Sequence, residues 1–109
     1  MTVTTFDQCL TEQARERPDA PAVFFGGECC SYAELDARVE RMAGQLAAAG
    51  VVPGDRAVLV ADNSADHLAA AFAVWRAGGV LVTIYPSSTE AELAYAIERT
   101  EPTAVVAGT

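Results

Sequence analysis

The sequence predicts an α/β fold: an N-terminal hairpin followed by a short parallel sheet with crossover helices. Three observations carry this. Apolar residues recur at steps of three and four between residues 32 and 46, the period of one helical face. Three short apolar runs, at 56–60, 80–84 and 104–107, are separated by helical patterns, as in parallel strands joined by crossovers. Gly26-Gly27 lies between two β-prone runs, as in a two-residue hairpin.

Thr5 is a suitable N-cap for a first helix running to about Arg17, with Phe6, Leu10, Ala14 and Cys9 as its buried stripe. Pro18-Asp19 ends it. Pro21 to Phe25 reads as a strand, and Glu28 to Ser31 as its return. Ser31 and Glu34 have the spacing of a capping box and open the second helix. Its inner face is Tyr32, Leu35, Val39, Met42 and Leu46, its outer face carries an i,i+4 pair of Glu34 with Arg38, and Gly50 stops it. Pro53-Gly54 reads as a turn, and Arg56 to Val60 as a strand.

Asn63 or Ser64 can cap a third helix with Leu68, Ala71, Phe72 and Trp75 inward, stopped by Ala77-Gly78-Gly79. Val80 to Ile84 reads as a buried strand. Thr89 and Glu92 form another capping box, Pro102 ends the helix they open near Arg99, and Ala104 to Ala107 is a last strand. So short a parallel sheet supplies little cover for its own faces. Ending at Gly108-Thr109 directly after a strand, the chain reads as a piece of something larger or a unit that pairs with a partner.

Composition restricts function. The 109 residues suit about one small domain, and the 51% hydrophobic content suffices for a core. The net charge of −8 disfavours nucleic acid and anionic membrane surfaces as partners. No apolar run is long enough to span a membrane, and residues 1–10 lack a secretory pattern. Cys9, Cys29 and Cys30 are odd in number and suit neither a disulfide framework nor a C-x-x-C metal pair, so reduced thiols and a cytoplasmic location are expected. Cys29 and Cys30 read as strand residues, a reactive vicinal pair being the alternative. All seven basic residues are arginines, and no G-x-x-x-x-G-K-[ST], G-x-G-x-x-G or H-E-x-x-H motif occurs.

Few residues offer chemistry. Asp62, Asp66 and His67 can form a metal cluster on paper, but acids at a helix start also suit its dipole, and His67 reads as a helix-surface residue. Thr83, Tyr85, Ser87 and Ser88 form a polar cluster at the carboxyl end of a strand, where open α/β sheets bind ligands. Turn and capping chemistry accounts for the two serines equally well. Trp75, at helical spacing with Leu68 and Phe72, reads as core. No catalytic, cofactor-binding or metal-binding residue is assigned.

Three segments together resemble the N-terminal region of the AMP-forming acyl-activating enzymes: acyl-CoA synthetases, adenylation domains of nonribosomal peptide synthetases, and luciferases. Ser31-Tyr32-Ala33-Glu34-Leu35 is similar to the family's [TS]-Y-x-E-L. Gly50 to Ala57 is similar to G-V-x-x-G-D-R-V, and Trp75 to Pro86 to L-K-A-G-x-x-x-V-P-x-x-P. Asn63-Ser64 also falls where the family opens a helix. Thr83 stands where the family commonly has Pro, and Ile84 to Ser88 is most similar to fatty-acyl-CoA synthetases. The resemblance covers residues 5–109 and implies a partial N-terminal subdomain of the acyl-activating fold, without the rest of the large domain or the C-terminal lid.

The family reaction joins a carboxylate to ATP as an acyl-adenylate, then transfers the acyl group to a thiol. ATP, Mg²⁺ and CoA are implied for the full-length family, and none for this chain alone. The family's phosphate loop and catalytic lysine lie downstream of the matching region, so the resemblance implies a scaffold inactive by itself. A homodimer or the complementing remainder of the enzyme is the expected partner. A free-standing dimerisation module and a flavodoxin-like small-ligand domain are the other readings; the latter fits the strand–helix alternation but not the hairpin.

Overall fold

The computed structural model describes residues 5–60 and 65–107. Nine elements follow one another there: α1 (Phe6–Glu16), β1 (Pro21–Phe25), β2 (Glu28–Ser31), α2 (Tyr32–Ala48), β3 (Arg56–Val60), α3 (Ala65–Arg76), β4 (Val80–Ile84), α4 (Glu90–Thr100) and β5 (Ala104–Ala107). β1 and β2 form an antiparallel hairpin, and β4-β3-β5 form a separate parallel sheet. The α/β class with hairpin and crossover helices is therefore the observed one.

Local chemistry sets most boundaries. Thr5, Ser31 and Thr89 each accept a hydrogen bond from the backbone N–H three residues on, while Gln8, Glu34 and Glu92 reach back to the cap N–H. Gly26 and Gly27 take φ of 57° and 84°, the paired positive values that let a two-residue turn follow the strand twist. α2 ends in a Schellman motif. Gly50 N–H donates to the Ala47 carbonyl, and Val51 N–H donates to the Leu46 carbonyl. Leu46 and Val51 are both buried, the apolar contact that accompanies this cap. The proposed caps Asn63 and Ser64 of α3 lie outside the described residues.

The core lies between α2, α3 and one face of the parallel sheet. Val39, Leu59 and Val74 are fully buried there, each worth roughly 1.5–3 kcal/mol of transfer free energy, while Val58, equally buried, faces the other side of the sheet. α3 touches α1, α2, β1, β3 and β4. A helix approached from so many sides needs small residues, and Ala69, Ala70, Ala71 and Ala73 are all buried.

Several expected placements are corrected by packing. Phe6 and Cys9 are exposed, so of the α1 stripe Leu10 is the one buried side chain. Trp75, Leu68 and Phe72 are half-buried because the alanine face of α3 occupies the centre. Trp75 sits at the rim between Phe6 and Phe72, with ring centroids 5.2 and 5.3 Å away. Glu34 is turned back onto its own cap, and Arg38 reaches Asp66 at 3.2 Å rather than pairing with Glu34. β4 is an edge strand rather than a buried one, with Val80 half exposed, because β3 takes the centre of the sheet.

The two faces of the sheet differ. Leu59 packs with Ala70 and Ala71 of α3, and Leu81 and Val106 lie against them. On the other face, Arg56 donates to the Thr100 carbonyl at 2.9 Å, which ties the end of α4 to β3. Yet α4 has no fully buried residue and touches the other elements only sparsely.

Candidate functional site

The polar cluster after β4 is assembled in part. Thr83, Tyr85 and Ser88 line an open groove of about 520 Å³ with Ile84, Ala91, Glu92 and Tyr95 of the following segment. Ser87 is exposed beside it and does not line it. The segment is shaped as a turn: Ser88 N–H donates to the Tyr85 carbonyl at 3.0 Å. Tyr85 is 81% exposed. Glu92 is held through Oε1 by the Thr89 cap.

The sheet order β4-β3-β5 places this cluster at the carboxyl end of an edge strand. The loop that leaves β3 lies outside the described residues.

Of the Asp62, Asp66 and His67 set, Asp66 and His67 lie within the described residues. Asp66 is exposed and engaged by Arg38. His67 is half-buried in the first turn of α3, and Asp62 lies outside the described residues. Among the described residues, no group of three His, Cys, Asp or Glu side chains is placed to hold a metal ion.

Cys29 and Cys30 point to opposite sides of β2, as alternation requires. Cys29 is exposed and Cys30 buried, so the two thiols are not a chelating pair. Burial raises the Cys30 pKa above its ordinary value, with nearby Arg38 opposing, which leaves the thiol protonated and poorly nucleophilic. A small cavity of about 100 Å³ separates this strand from Arg38, Ala65 and Asp66.

The most closely built arrangement is a joint between segments far apart in sequence. Val52-Pro53-Gly54-Asp55 is a turn closed by Asp55 N–H donating to the Val52 carbonyl, with Gly54 at φ 92°. The Asp55 carboxylate accepts from Val52 N–H at 2.8 Å. Gly54 N–H then donates to the Gly78 carbonyl, and Val80 N–H to the Asp55 carbonyl. Gly78, at φ 81°, lies so close to Pro53 that an added Cβ would stand 3.0 Å from it. The joint therefore needs glycine twice over, for conformation and for space. It sits where β3 and β4 begin, at the end of the sheet opposite to ligand-binding crevices.

A second structural node was missed from sequence. Arg76 donates to Asp7 and Asp36 at 2.7 Å and to Glu40 at 3.1 Å, binding α1 and α2 to the end of α3. Burial pulls its pKa down, but the hydrogen bonds it donates to Asp36 and Asp7 outweigh that and raise it, so the guanidinium stays charged. Acidic residues at 7, 36 and 40 carry no local signal that they share one cation.

Comparison with known proteins agrees with this geometry. The sequence model described as AMP-binding enzyme matches residues 10–109. A salicyl-AMP ligase / salicyl-S-ArCP synthetase of Mycobacterium tuberculosis is 40% identical over 96 residues, which are 84% of this chain and 17% of that protein. A feruloyl-CoA synthase of Amycolatopsis is 46% identical over 72 residues, 66% of this chain and 15% of the relative. The chain thus spans about a sixth of the length of these relatives. The crystal structure of the N-terminal domain of FACL13 from Mycobacterium tuberculosis shares the fold, with a TM-score of 0.91 and 23% identity, over 98% of this chain and 27% of that one.

Proposed function

Because the chain belongs to the AMP-binding enzyme family, we propose that it forms the N-terminal scaffold portion of an adenylate-forming acid–thiol ligase and is not competent by itself. The observation that carries this reading is the joint of Pro53-Gly54-Asp55 with Gly78-Gly79. Two of the three family-like segments meet there, and their residues are used for turns, close backbone approach and strand initiation. The third, from Ser31 to Leu35, is used for a capping box.

Charge supports the same reading. Attack on the α-phosphate of ATP needs cations and aligned N–H groups around the phosphates. This chain carries a net charge of −8 and no lysine, and Arg76 is already shared among three carboxylates. The residues that hold ATP and Mg²⁺ therefore belong to further protein.

The acid remains to be assigned by experiment. Ile84-Tyr85-Pro86 supports a fatty acid, whereas the two relatives, a salicyl-AMP ligase and a feruloyl-CoA synthase, support an aromatic one. ATP–pyrophosphate exchange tests both levels of the proposal. The isolated chain is expected to show none with any acid, and exchange above background overturns the scaffold reading. Residues 10–109, grafted in place of the matching segment of the salicyl-AMP ligase, are expected to restore exchange.

A second reading is a free-standing module that dimerises without catalysis. The open edges of β4 and β5 favour it, since unpaired strands recruit other chains. Light scattering of a strictly monomeric, folded chain at high concentration would count against it.

A further inference from the structure

α1 is held to the rest of the molecule by few contacts. Leu10 is its one buried side chain. At the end of α3, the exposed Phe6 ring lies 5.2 Å from that of Trp75. Asp7 Oδ1 accepts from Arg76 Nε at 2.7 Å, and the Thr11 hydroxyl accepts from Arg76 Nη2 at 3.3 Å. Arg76 does not depend on these bonds for its partners. Its Nη2 also donates to Asp36 at 2.7 Å and its Nη1 to Glu40 at 3.1 Å, both on α2. Breaking a half-buried ion pair is costly chiefly when it strands a charge. If α1 leaves, Arg76 keeps two carboxylates and Asp7 returns to water, so neither charge is stranded.

A hinge lies directly behind the helix. The Pro18 carbonyl accepts from Ala33 N–H and the Ala20 carbonyl from Tyr32 N–H, which fixes residues 18–20 to the start of α2. Just upstream, Arg17 leaves the helical region at φ −136° and ψ 58°. The 11 residues of α1 are too few to persist as a helix in water, so undocking and unwinding go together. The complete capping box at Thr5 and Gln8 sets where the helix starts again when it returns.

We infer that α1 is a hinged clasp: it leaves and re-enters the α2–α3 surface as one unit, pivoting at residues 17–18, with Asp7 competing against Asp36 and Glu40 for the Arg76 guanidinium and Phe6 covering Trp75 in the closed state. The clasp is a property of the helical side of the chain and does not rest on the scaffold reading. Opening it uncovers Trp75 while the core between α2, α3 and the sheet stays closed.

Native-state amide hydrogen exchange and acrylamide quenching of Trp75, the one tryptophan of the chain, test this on the 109-residue protein. The amides of α1 are expected to exchange at least about tenfold faster than those of α2 and α3. Asp7→Asn is expected to speed α1 by a further factor of about five and to raise the quenching of Trp75, with α2 and α3 unchanged. Asp36→Asn removes a competitor for Arg76 and is expected not to speed α1. Asp7 also interacts with the helix dipole, and an Arg76→Met background separates the two effects. There, Asp7→Asn should leave α1 exchanging no faster than Arg76→Met alone does. Exchange of α1 in step with α2 and α3 overturns the inference, as does an Asp7→Asn variant that speeds all three helices together or none of them. An Asp36→Asn variant that speeds α1 as much as Asp7→Asn overturns the competition for Arg76. A full acceleration by Asp7→Asn in the Arg76→Met background assigns the effect to the dipole and overturns the clasp.

Discussion

The helical side of the molecule and its β4–α4–β5 side are built to different degrees of completion. On the helical side α1, α2 and α3 share one buried core, and Arg76 closes the carboxylates of two neighbours onto the third helix. On the other side a capped helix of the same length as α1 lies over the sheet and buries no residue fully. Both helices carry a complete capping box, so local signals do not distinguish them. The difference is tertiary. Capping fixes where a helix starts, whereas its stability in a protein comes chiefly from what covers its apolar face.

Truncating the finished side should have the largest effect. Leu59→Ala removes a side chain that is 1% exposed between β3 and α3. It should cost about 2–4 kcal/mol in chemical denaturation. Gly78→Ala comes next, at about 1–3 kcal/mol, because the new Cβ meets Pro53 and the residue must hold φ 81°. Arg76→Met should cost about 1–2 kcal/mol, with a deficit that shrinks as salt screens the three carboxylates left facing one another. Tyr95→Ala, on the unfinished side, should stay within about 0.5 kcal/mol of the parent chain. A Tyr95→Ala cost equal to that of Leu59→Ala would erase the contrast between the two sides.

What the sequence could announce followed the range of each interaction. Ser31 with Glu34 and Thr89 with Glu92 were legible because a capping box spans three residues. The Gly26-Gly27 turn and all five strands were legible for similar reasons of local pattern. Thr5 was readable as a cap, but its partner Gln8 was overlooked although it has the same spacing. The central place of β3 was not legible, since apolar runs at 56–60 and 80–84 look alike and hydrogen-bonded neighbours decide which is the edge. Trp75 misled because size and spacing suggest a core residue, whereas α3 required small side chains at its most crowded positions.

The candidate site was legible to a smaller degree. Thr83, Tyr85 and Ser88 do converge on one groove, as their position after a strand suggested. Its second wall, from Ala91 to Tyr95, depends on how α4 turns back. The Arg76 node depends on three helices meeting, and no short-range pattern encodes that. The motif residues around Pro53 and Gly78 were recognisable as a family pattern. Only their contact revealed that each segment is there to fit the other.

Native-state amide hydrogen exchange on the isolated chain and on its graft within the ligase tests the contrast most directly. The account predicts that amides of α2, α3 and β3 are protected alike in both, while those of α4 and β5 exchange at least about tenfold faster in the isolated chain. Equal protection of α4 and β5 in the two settings would mean that nothing is missing from that side, and would contradict the account.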